Sequence, residues 1–302
     1  MDVKGRLMLL VTVLAAVAVT VATTVVLLLV EPTAPRSEAV RTGALSGGAV
    51  VALYALWLND RRRRVEEARH DLEGEKIADE RFTRSVELLG NEADQVRVGA
   101  LHSLVWLAGS TPRYKQTVLD VLCAYLRRPF ERPELRDEPA PGTAAGSDPE
   151  ADREREVRLT TQRLIADVLP WGEDQDRRTD NLDLSGARLE HLRLEGRRIG
   201  RLTARGARFH GITRLGHLEA AKPVLFTDAS FKGRLDLREA RLEGGVSFQR
   251  TQFHGEVVLD GAVVATILDI STTAPVGQLG TLLVGPQTRV DGNVDGWALA
   301  AP

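Results

Sequence analysis

A single cysteine, Cys123, excludes a disulfide within this chain of 302 residues. Its setting in VLDVLCAYL reads as a core thiol, because an unpaired cysteine packs as a small hydrophobe. The chain has no Walker loop, no dinucleotide glycine fingerprint and no HExxH motif, and its six histidines stand singly without metal-ligand spacing. The sequence therefore nominates no catalytic, cofactor-binding or metal-ligating residue, and no cofactor. His191, His210 and His254 read as solvated side chains, and the carboxylate pair Asp180 and Asp183 lacks a partner that would make it an acid and a base. Lysine is scarce, with five against 35 arginines, a balance typical of high-GC bacterial genomes. Neither sign of charge dominates, since the formal net charge is -2.

What is present begins with an uncharged run of 24 residues, Leu7 to Val30. At about 1.5 Å per helical residue it spans a bilayer core of about 30 Å. It is too long for the apolar segment of a signal peptide, and EPTAPRSEAV after it is a poor cleavage site. Thr42 to Leu58 forms a second, shorter apolar segment with Tyr54 and Trp57 at the headgroup level. Gly43 and Gly47 make a GxxxG pair, repeated in smaller form by Gly48 and Ala52, and Ala15, Ala18 and Ala22 offer a small face for it on the first helix. Lys4 and Arg6 precede the first span and Arg61 to Arg64 follow the second, while the connecting loop holds only Arg36 and Arg41. That distribution expects both termini on the cytoplasmic side of a bacterial inner membrane. The arginine run reads as a topology anchor with headgroup attraction, and no nucleic-acid partner is expected.

A juxtamembrane helix is expected over 59–76. From 77 to 128 the pattern is helical: Val118, Val121, Leu122, Tyr125 and Leu126 lie on one face, and Val98, Leu101, Val105 and Ala108 on another. VRVGALHSLVWLAG resembles a HEAT-type helical hairpin. Residues 129–155, rich in Pro, Ala, Gly and acid, read as a disordered linker. A helix over 156–170 is placed to cover the open end of the repeat tract C-terminal to it.

In that tract, four eleven-residue blocks, FTDASFKGRLD, LREARLEGGVS, FQRTQFHGEVV and LDGAVVATILD, run from Phe226 to Asp269. Each opens on a large apolar residue (Phe226, Leu237, Phe248, Leu259), places a small one three positions on, and then another large one (Phe231, Leu242, Phe253, Val264). On a helix, steps of five and six would scatter these residues around the axis. On short strands joined by turns the same residues face one way. An earlier stretch repeats every five positions at Leu184, Leu189, Leu194, Ile199, Ala204 and Phe209. Its text, DLSGARLEHLRLEG followed by ARGARFHG, resembles the pentapeptide-repeat family. The resemblance implies a right-handed quadrilateral β-helix with these central residues inside. Arg197, Ala204 and the stretch His210 to Pro223 depart from the pattern, so a bulge or loop is expected there. Four faces per coil would stack residues 22 apart, setting Phe226 against Phe248, Phe231 against Phe253 and Leu237 against Leu259.

The expected fold is thus α+β and multi-module: two transmembrane helices, a small helical region, a β-helix over 180–276 and a C-terminal cap or tail over 277–302. Three functions are weighed. The first is a non-catalytic, membrane-tethered scaffold for an unidentified cytoplasmic protein. The second, implied by the resemblance, is a DNA-mimicking regulator of a type II topoisomerase, which the 15 basic and 14 acidic residues of 180–302 disfavour. The third is an enzyme whose site no motif reveals. A homodimer is left open.

Overall fold

The computed structural model describes residues 3–30, 36–131, 148–174 and 178–301. The chain divides into two units, the boundary falling between Ile77 and Ala78.

The first unit holds α1 (Val3–Val30) and most of α2 (Arg36–Leu88). The two helices meet at Gly43 and Gly47, which are buried. A Cβ at either position would overlap a threonine hydroxyl, Thr24 Oγ1 or Thr20 Oγ1. Those hydroxyls turn back to their own helix, donating to the Thr20 and Ala16 carbonyls at 2.8 Å, so α1 meets the glycines with a satisfied, close-fitting surface. Ser46 adds a bond to Thr23 Oγ1 at 3.2 Å. The small face on α1 is therefore Ala16, Thr20 and Thr24. Ala15, Ala18 and Ala22 are exposed, and Gly48 has open space beside it.

Among the described residues one helix, Val40–Arg61, is long and apolar enough to cross a membrane, whereas the described apolar part of α1, Val11–Val26, falls short of that length. The connecting loop expected over 31–41 is shorter, because α2 starts at Arg36; residues 31–35 lie outside the described set. No separate juxtamembrane helix forms either. α2 runs unbroken through the arginine run to Leu88, since 59–76 lacks proline and carries helix-supporting pairs such as Asp60 and Arg64 at 2.6 Å.

In the second unit the end of α2 is followed by α3 (Asp94–Ser110), a 3-10 turn at Pro112–Tyr114, α4 (Lys115–Arg127) and α5 (Pro149–Val168). Residues 132–147 of the expected linker lie outside the described set, but its last residues are helical. Asp148 caps α5 by accepting the Glu150 N–H at 3.0 Å, Pro149 suits the first turn, and Glu150 and Asp152 favour the positive end of the helix dipole. Leu101, Leu104, Leu122, Leu126 and Ile165 are fully buried, and their cluster continues without a break into Leu182, Leu189 and the residues beyond. The helices and the β region share one core. The expected helical and β modules thus fall in one unit: α3, α4 and α5 pack on one another, and α4 packs on the first coil.

The β region is a solenoid of about five turns, its short parallel strands stacked into four sheets. The coil length varies along the tube. Leu182 pairs with Leu202 and Leu189 with Phe209, Arg198 then pairs with Glu219, the separation reaches 22 from Leu202 to Val224 and from Val224 to Val246, and it shortens again from Val263 to Leu283 and from Leu282 to Leu299. The bulge or loop expected over His210 to Pro223 does not interrupt the solenoid. One extra residue enters after Phe209, where Gly211 takes φ 68°, and another after Ala220, so Leu215 and Ala220 fill the inward positions and the stack continues. The solenoid also runs past 276: Leu282–Val284, Arg289–Asp291 and Leu299–Ala300 pair in register with earlier coils.

Candidate interaction surface

Four inward rows define the tube. The first face stacks Leu184, Ala204, Phe226, Phe248 and Ile270, and the second Leu189, Phe209, Phe231 and Phe253. Leu194, Leu215, Leu237 and Leu259 form the third, and Ile199, Ala220, Leu242 and Val264 the fourth. All are at most 1% exposed except Phe253, which is half-buried. Phe226 stacks on Phe248 at 5.7 Å and Phe231 on Phe253 at 5.8 Å, within 11° of parallel. Rings on the two neighbouring faces meet edge to face, Phe226 against Phe231 at 5.2 Å and 74°. Trp297 covers the C-terminal end of the second row, 6.1 Å from Phe253, and lies 5.9 Å from Phe248 of the first.

At the other end, the first coil would leave backbone groups without neighbours. The helices answer them. Gln116 of α4 accepts the Asn181 N–H at 2.8 Å and donates to the Asn181 carbonyl at 2.9 Å, mimicking a strand. Pro170 accepts the Arg198 N–H at 2.8 Å. Arg158 of α5 is 3% exposed and donates to the carbonyls of Leu126 and Arg188, tying α4, α5 and the second face together. Burial lowers its pKa, with Glu154 opposing. Nearby, Glu154 accepts from Arg97 at 2.6 Å and Tyr125 at 3.0 Å. Burial, reinforced by Glu154, pushes the Tyr125 hydroxyl up to about 12, and burial pushes the Cys123 thiol to about 12.

Outside, the corners carry a left-handed residue two positions after the inward one. Glycine serves at Gly186, Gly206, Gly196 and Gly261, but His217, Glu239, Asp228 and Arg250 adopt φ of 51–58° in the same rows. Asp228 and Arg250 stack as an ion pair at 2.5 Å, and His217 lies 3.5 Å from Glu239.

A groove of about 1320 Å³ runs between α5 and the third and fourth faces. α5 crosses it in a known direction: Arg155 bonds Glu190 at 2.8 Å at the corner between the second and third faces, while Leu169, at the other end, takes a bond from Arg197 at 3.0 Å. Trp171 is 52% exposed at the lip and lies against Gly196, with the Arg197 guanidinium 3.7 Å from its ring centre. A side chain at Gly196 would press on that ring.

The chain matches the family model described as pentapeptide repeats (9 copies) over residues 222–265, where four-sided coils with one inward residue per face have just been traced. Its solenoid is built of pentapeptide repeats. No curated protein and no solved structure matched the chain.

The outward rows of the pentapeptide-repeat solenoid are ladders that change along the axis. On the third face Arg193, Arg214, Asp236 and Val258 follow one another, and on the fourth Arg198, Glu219, Arg241 and Val263. The periodic residues were readable from sequence. Trp171 and the groove were not, since they depend on where the cap folds back, whereas Trp297 lies in the C-terminal segment expected as a cap.

Proposed function

We propose that this protein is a non-catalytic interaction scaffold held at a bacterial inner membrane by a two-helix hairpin, with both termini in the cytoplasm. The observation that carries the scaffold reading is a rigid, four-sided rod whose outward rows present charged and polar side chains at a fixed strand spacing of about 4.8 Å, an extended surface suited to binding protein. Membrane embedding is supported by the first unit, where Leu14, Leu45, Leu53 and Leu56 are each at least 65% exposed around helices that water would not tolerate in that number. Gly43 and Gly47 against Thr20 and Thr24 give the close contact that packs two helices in lipid. Orientation follows from the basic residues at Lys4, Arg6 and Arg61 to Arg64.

The test is proximity labelling in intact cells from a C-terminal fusion, with alkaline extraction of the membranes. The protein should stay in the membrane fraction and label one cytoplasmic protein reproducibly. Release by alkali, or labelling no different from an untethered enzyme, refutes the reading.

A further inference from the structure

Arg193 and Arg214 occupy the same outward row of the third face on consecutive coils and are bridged in parallel register. Strand spacing sets their backbones about 4.8 Å apart, so two like charges are held side by side, which is destabilising unless an anion joins them. Two of the acids within reach are engaged elsewhere, and a third, Glu195, lines the same groove. Asp236, next in the row, is held by Arg238 through bonds of 2.6–3.1 Å. Glu190 is taken by Arg155 at 2.8 Å. Glu195 leans over Gly216, with Oε1 3.9 Å from where a Cβ would stand, and its charge acts on Arg238. A third arginine, Arg163, lines the same groove from α5.

The far end of the groove differs. Trp171 stands at the lip with half its surface open. Arg193, Arg214 and Arg163 outnumber Glu190 and Glu195 on one side of it, while Asp167, Glu173, Glu219 and Glu239 outnumber Arg197 and Arg241 on the other, so the groove is cationic in balance at one end, aromatic next, and acidic in balance beyond.

We propose that this groove binds an extended segment of a partner protein carrying two acidic side chains, then an apolar one, then a basic one. The proposal rests on the scaffold reading and names the chemistry of its partner. The two carboxylates join Arg193, Arg214 and Arg163 in charge-assisted bonds, where guanidinium geometry favours bidentate pairing. The apolar side chain packs on Trp171, already held by Arg197, so little ordering is needed on binding. The basic residue meets Asp167 and Glu173. Reversing the order would set like charges together at both ends, which fixes the direction of the segment.

Fluorescence anisotropy with the full chain in detergent micelles tests this. The probe is a labelled peptide bearing two glutamates, a central leucine and a terminal lysine, and its counterpart has the charges exchanged. Saturable binding of the first peptide is expected, weakened by about tenfold or more in R193E/R214E and unchanged in R289E on the last coil. The charge-exchanged peptide should then bind R193E/R214E better than it binds wild type, which also shows that the variant is folded. The proposal is overturned if wild type binds neither peptide, if R193E/R214E binds the first as well as wild type does, or if a single-stranded oligonucleotide is preferred. If proximity labelling still finds its partner with R193E/R214E unchanged, the groove assignment fails and the scaffold reading stands.

Discussion

Phe209 and Phe231 lie face to face, ring centres 4.5 Å apart and planes within 8° of parallel, although a full coil separates them in sequence. Their rings stack because the parallel register brings equivalent side chains onto one line, and each ring also meets Phe226 edge-on. Phe231 is thus in contact on several sides and 1% exposed. Phe231→Ala should cost about 3–5 kcal/mol, as for a fully buried ring with little room for collapse. Phe253→Ala, at the partly open end, should cost distinctly less. Thermal unfolding followed by β-sheet circular dichroism measures both, and equal losses would contradict the packing described.

The corners offer a test of backbone strain without packing. Gly206 has φ 62° and nothing within 4 Å of an added Cβ, so Gly206→Ala probes conformation alone. It should cost about 1–2 kcal/mol, the penalty of an L-residue in the left-handed region. His217 already bears that strain at φ 54°. His217→Gly should stabilise by about 0.5 kcal/mol, the released strain being partly offset by glycine's greater freedom when unfolded. Melting temperatures that move the other way would refute this account of the corners.

Arg158 is the junction of helices and solenoid. Removing it leaves the Leu126 carbonyl at the end of α4 and the Arg188 carbonyl of the first coil without this donor. Arg158→Ala should cost about 3 kcal/mol or more, from unsatisfied buried acceptors and lost packing on Phe130. Arg158→Lys should recover little, because one ammonium cannot reproduce the fork of donors. Hydrogen exchange would localise the damage: faster exchange in α4 and in the first coil is expected, and exchange unchanged there would remove Arg158 from this role.

The limits of sequence reading trace to the same residues. Phe226, Leu237, Phe248 and Leu259 were legible because every coil repeats one chemical choice at one position. Leu215 and Ala220 were hidden by a spacing change from five to six, which a fixed five-residue frame treats as a break although the tube continues. The α1 contact was misplaced because Thr20 and Thr24 look polar until their hydroxyls are turned back onto the helix. Pro149 to Arg155 looked like linker by composition, yet SDPEAD is a helix start once the cap is considered. The groove had no periodic signal, since it is made by α5 crossing the coils.

Alkaline pH should weaken the second unit in a way that traces to two groups. The Cys123 thiol is raised by burial from 9.0 to about 12, and the Tyr125 hydroxyl from 10.0 to about 12 by burial and Glu154. Each group keeps its proton more tightly when folded, so its contribution is fully present below the unfolded value and is lost as pH rises through the folded one. Stability should hold to about pH 9 and then fall, first through Cys123 and from about pH 10 also through Tyr125. In Cys123→Ala the decline between pH 9 and 10 should flatten, whatever the variant loses in packing at neutral pH. The native thiol should also resist an aromatic disulfide reagent at pH 8 and react at once on unfolding. Rapid labelling of the folded protein, or a pH profile identical in Cys123→Ala, would show that this sulfur is not the buried, protonated group described.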